Sequence, residues 1–107
     1  MNAIELLKAT KRSVIDGKWG HGYANQCVLW HAKSVSGKRF PLSDAMVGKH
    51  SLLNILDAEC GGNLFTYNDT HSKWDMVALL GKFIRHLEAE SARSFSANYT
   101  QQETNDV

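Results

Sequence analysis

Apolar side chains recur at helical spacing over two long stretches of this chain, and the rest is broken by glycines and polar clusters. From Asn2 to Asp16 the positions Ala3, Ile4, Leu6, Leu7, Val14 and Ile15 share one face, while Glu5, Lys8, Arg12 and Asp16 share the other. The spacing predicts an amphipathic helix with Asn2 as N-cap and Gly17 just beyond its end, where glycine accepts the left-handed conformation cheaply. A second, stronger pattern begins at Ser72. Ser72 and Asp75 form a capping-box-like pair, and Met76, Val77, Leu79, Leu80, Phe83, Ile84 and Leu87 give a broad apolar face. Ala78 and Gly81 stand a turn apart on this helix, which predicts close approach of another helix there.

Between them the pattern is less regular. Ser43 can cap a helix bearing Ala45, Met46, Leu52, Leu53, Leu56 and Cys60, stopped by Gly61-Gly62. Gly48 can split it, with Ser51 capping the second piece. Cys27 to Ala32 reads as a short strand that turns at Ser34 to Gly37 and returns through Lys38 to Phe40, giving a β-hairpin over 27–40. A loop whose aromatics plug the core would have the same composition. Asn68 and Asp69 read as turn-formers that bond backbone amides around residues 70–72 ahead of the Ser72 cap. Beyond Glu90 only Phe95 and Tyr99 are sizeable apolar groups, so 91–107 is expected to be a mostly disordered tail behind one domain, 1–90. The expected fold is mainly α: a small bundle of three to four helices, with the 27–40 hairpin as an addition.

Composition narrows the function classes. The apolar fraction of 43% and charged fraction of 21% are those of an ordinary globular chain. Lys and Arg total 12 against 11 Asp and Glu, a net charge of +1, too balanced for the broad positive surface of most nucleic-acid binders. No apolar run reaches the 18 or so residues needed to span a bilayer. Two cysteines and no recognisable signal segment lead us to expect a reducing, cytoplasmic setting.

Candidate chemistry is sparse. His21, Cys27 and His31, with Cys60, His50 or His71, supply metal-ligand types without the paired spacing of a structural zinc site, so neither a metal nor another cofactor is expected. A buried cysteine is more often a small core residue than a nucleophile. No Gly-x-Ser-x-Gly elbow or phosphate-binding glycine loop is present, and no catalytic residue is assigned. Lys33, Lys38 and Arg39 beside Trp30 and Phe40 could serve a nucleic-acid backbone, though a solvated loop explains them as well.

Trp19, Ala24, Tyr67-Asn68-Asp69 and Ser72, with the flanking helices Ile4 to Ile15 and Met76 to Ile84, resemble a bacterial and phage domain family of unknown function. Met46-Val47-Gly48-Lys49 departs from that family's central-helix pattern. The resemblance implies a helical architecture and a bacterial or phage setting, and it carries no activity. The resulting expectation is a non-enzymatic interaction protein with a protein partner, a phage or mobile-element factor acting on a host system. Its candidate partner-binding residues are Trp19, Trp30, Asn68, Asp69, His71 and Trp74, because Trp and Tyr furnish interface anchors. A small metal-dependent enzyme using the His and Cys residues and a nucleic-acid-binding module are the alternatives.

Overall fold

The computed structural model describes the backbone of residues 1–22 and 25–106 and the side chains of 1–22 and 25–91. Six helices and one two-stranded hairpin follow in the order α1 (Ala3–Asp16), α2 (Val28–Ser36), α3 (Pro41–Asp44), β1 (Met46–Val47), β2 (His50–Ser51), α4 (Leu52–Glu59), α5 (Leu64–Thr70) and α6 (Lys73–Asp106). The chain is mainly helical, with more helices than the three to four expected. The expected tail over 91–107 lies, Ser91 apart, outside the residues whose side chains are described.

α1 starts as the pattern requires. The Asn2 side chain accepts from the Glu5 amide at 2.9 Å, and the Asn2 amide donates to the Glu5 carboxylate at 3.3 Å, closing a capping box. α6 starts in the same way, with Asp75 N–H donating to Ser72 Oγ at 3.2 Å and Ser72 N–H to Asp75 Oδ2 at 3.1 Å. Ser51 caps α4 by accepting from Asn54 N–H at 3.2 Å.

Two expectations are corrected. The hairpin expected over 27–40 is instead α2, because Val28, His31 and Ala32 are buried at helical rather than alternating spacing, and Gly37 ends the helix at φ +68°. The hairpin sits later in the chain. Met46 pairs with Ser51 and Val47 with His50 across the two-residue turn Gly48-Lys49. Gly48 has φ +62° at the first turn position, which suits the right-handed twist of short hairpins. Ser43 caps nothing, since Pro41 at the first helical position starts the one-turn α3 around it.

The core is built mainly on α1 and α6, which pack extensively on each other, with α2 on the other side of α1. Leu6, Leu7, Val28, Ala32, Leu42, Leu52, Leu56, Leu64, Met76, Leu80 and Phe83 form one buried cluster drawing on every α-helix. Lys8 and Glu88 bridge at 3.0 Å, and Lys73 Nζ donates to Gly17 O at 2.8 Å. α1 and α6 therefore run antiparallel, the start of α6 lying against the end of α1.

Candidate functional site

The six candidate partner-binding residues divide into two groups with different work. The buried Asn68 and the half-buried Trp19 and Trp30 belong to a joint where α1, α2, α5 and residues 17–20 meet. Asp69, His71 and Trp74 lie on the surface.

His31 is the hub of the joint. It is fully buried on α2, with Nδ1 2.7 Å from Ser13 Oγ and Nε2 2.7 Å from Lys18 O. A carbonyl can only accept, so Nε2 carries the proton. In the neutral ring Nδ1 then accepts from the Ser13 hydroxyl. Burial lowers the His31 pKa from its ordinary value; the nearby Lys73 also lowers it, against a raising contribution from the Lys18 carbonyl. Trp19 stacks on the ring at a centroid distance of 6.5 Å, and Trp30 meets it edge-on at 5.0 Å. The ring also explains Gly17, whose backbone is extended rather than left-handed (φ −103°, ψ −174°). A Cβ there would stand 2.9 Å from His31 Cε1 and 2.8 Å from Ser13 O, so glycine is needed for close approach.

Asn68 closes the other side of the joint, and its role differs from the turn-former expected. It lies within α5, only 2% exposed. Its Oδ1 accepts from Val28 N–H at 3.1 Å, while Nδ2 donates to Gly20 O and to Asp69 Oδ1, each at 3.3 Å. Cys27, the N-cap of α2, makes no side-chain cap. Asn68 thus supplies, from forty positions away, the acceptor that the first turn of α2 lacks. α5 is capped locally by Asn63, which accepts from Phe65 and Thr66 N–H, and Gly61-Gly62 ends α4 with positive φ at both residues.

The surface group is less tightly tied. His71 stacks on Tyr67 at 3.8 Å, and Tyr67 OH donates to Asp75 O at 3.4 Å. Trp74, on the first turn of α6, is 62% exposed, with Lys73 Nζ 5.4 Å from its ring. Ala78, Gly81 and Arg85 follow it at i+4, i+7 and i+11 and share its side of the helix. The close approach expected at Gly81 proves to involve side-chain ends, not a helix backbone. Lys11 Nζ and Arg85 Nη1 stand 3.2 and 3.4 Å from the point a Cβ would occupy.

Chemistry beyond binding finds little material. Among the described residues no three His, Cys, Asp or Glu groups gather as metal ligands. Cys27 is buried, and burial together with Asp57 pushes the half-buried Cys60 thiol up, away from a reactive thiolate. Arg39 lies 5.3 Å over the exposed Phe40, while Trp30 meets His31 edge-on and shares an open groove with Lys33, so the basic and aromatic residues of 30–40 fall into two pairs. Two open grooves of about 340 Å³ flank the exposed Met46, one lined by Ile4, Val47 and Leu87 and the other by Leu6, Pro41 and Ala45. Among the described residues no helix is long and apolar enough to cross a membrane. No family model matches the chain, and no curated protein or solved structure matches it either.

Proposed function

We propose that this chain is a non-enzymatic interaction protein that binds a protein partner through the outer face of α6, with Trp74 as its anchor. The observation that supports this most is the placement of Trp74. A large ring 62% exposed on the first turn of a capped helix offers a broad apolar anchor on a fixed backbone. The exposed Ala78 next to it leaves the helix surface low, so a partner can approach the backbone there, while Lys11 and Arg85 cover the buried Gly81 one turn on. Asn68 leaves the candidate binding set, because its burial and hydrogen bonds account for it structurally, while the half-buried Trp19 and Trp30 each line an open groove away from this face. Asp69 and His71 stay within it at the α5 end of the same region. The resemblance to bacterial and phage domains makes a cytoplasmic phage or mobile-element factor acting on a host system the setting we attach to this reading.

Photo-crosslinking tests it. A photoreactive residue placed at Trp74 or Ala78 should yield a reproducible adduct with one protein in the native host, and the same residue at Asn54, on α4, should not. Adducts that do not depend on position would overturn the assignment of this face.

A further inference from the structure

Resting on the α6-face reading, we infer that the partner presents a carboxylate-bearing helix, seated on Trp74 at one end and held at the other by Lys11 and Arg85 over Gly81. Gly81 is the only glycine in the described part of α6, and it is buried beneath two cationic side chains rather than under another helix. Lys11 reaches it from α1 and Arg85 from the next turn of α6. Neither makes an ion pair among the described residues. Two neighbouring cations on α1 do: Lys8 with Glu88 at 3.0 Å and Arg12 with Asp16 at 2.7 Å. Two like charges that converge over bare backbone repel each other and lack the anion their neighbours have. A carboxylate satisfies both, because the guanidinium fork takes its two oxygens side by side while the ammonium adds a point charge.

The spacing sets the distance between the partner's two complementary groups. Trp74 and Arg85 are eleven residues apart on one helix face, a separation of about 16 Å, or roughly three turns of a partner helix laid alongside. Its complementary pattern is an apolar side chain at one end and Asp or Glu about three turns away. A nucleic-acid backbone fits less well. The cations are confined to one notch, and Glu88, Asp16 and Asp75 interrupt any longer positive track along α1 and α6.

The test compares two 16-residue helical peptides, each with Leu at one end and either a Glu pair or a Gln pair three turns on, together with a 16-nucleotide single-stranded DNA. Binding to isotope-labelled full-length protein is followed by NMR. The Glu peptide should bind at least tenfold more tightly than the Gln peptide and shift the Gly81 amide. Gly81→Ala, which fills the notch without removing a charge, should abolish the preference, and so should the double variant Lys11→Gln/Arg85→Gln. Equal affinities, absence of binding by both peptides, or DNA binding more tightly at Gly81 would each overturn the inference. The outcomes separate from those of the crosslinking test. An adduct at Trp74 with no Glu preference keeps the face and removes the acidic partner, whereas a Glu preference without the adduct keeps the notch alone.

Discussion

At its C-terminal end α1 enters a closed polar joint, where Ser13, the Lys18 carbonyl and His31 match each donor with one acceptor and Asn68 does the same for Val28 and Gly20. Along its outer face α1 meets α6 with Lys11 and Arg85 side by side and no carboxylate between them. The two regions are built from similar residue types and differ in completeness. Inside, an unmatched polar group costs its desolvation, so the joint pairs Ser13, His31 and Asn68 within the chain and leaves the Trp19 indole N–H without a partner among the described residues. Outside, water tolerates an unmatched charge until a partner replaces it. This difference is why the joint is assigned to structure and the face to binding.

The largest effect expected from breaking the comparison is at Asn68. Asn68→Ala removes the partner of the buried Val28 N–H and that of the part-buried Gly20 O, and a urea titration should show a loss of about 3 kcal/mol. A loss under about 1 kcal/mol would mean that water enters and the joint is less closed than its geometry. Gly17→Ala comes next. Its backbone angles suit alanine, so the cost is purely the collision with His31 and Ser13, about 2 kcal/mol. An unchanged melting midpoint would rule out the close approach.

The pH profile sharpens the same point. The His31 pKa is lowered on folding from an ordinary 6.5, so the unfolded chain binds that proton first as pH falls. The stability it contributes is complete above about pH 6.5 and declines below it, down to the depressed folded value. The slope of melting midpoint against pH between about 7 and 5 should flatten in His31→Gln, whatever that variant's absolute stability. An identical slope would assign the effect to other groups. Smallest is the face. Trp74→Ala should change unfolding free energy by no more than about 0.5 kcal/mol, and a larger loss would show that the ring supports the fold.

Elements defined by neighbours in sequence are legible in the amino-acid pattern itself. Asn2, Ser51 and Ser72 each act within three residues, and the apolar faces of α1 and α6 follow directly from their spacing. What escapes that pattern depends on distant partners. α2 has no local cap, so Cys27 to Ala32 reads as a strand or a core-plugging loop, and Asn68 beside Asp69 has a sufficient local explanation as a turn. Gly17 falls at a helix end as its spacing predicts, but for a different reason, since nothing nearby in sequence announces the His31 ring. Trp74 stands among the candidates drawn from the sequence and Lys11 and Arg85 do not, because only the antiparallel crossing of α1 and α6 brings residues 74 positions apart to one glycine.

The cap that Asn68 gives to α2 has a consequence for the order in which the chain acquires its structure. A helix of nine residues is too short to persist alone in water, and this one begins without a side-chain acceptor of its own. During synthesis the N-terminal half emerges with α1 already carrying its complete start signal, while the opening turn of α2 must wait until α5 has been made and has docked. Closing that long loop is an entropic step that local helix formation cannot bypass. The opening turn of α2 is therefore a late and cooperative acquisition, dependent on the second half for the acceptor of its Val28 amide.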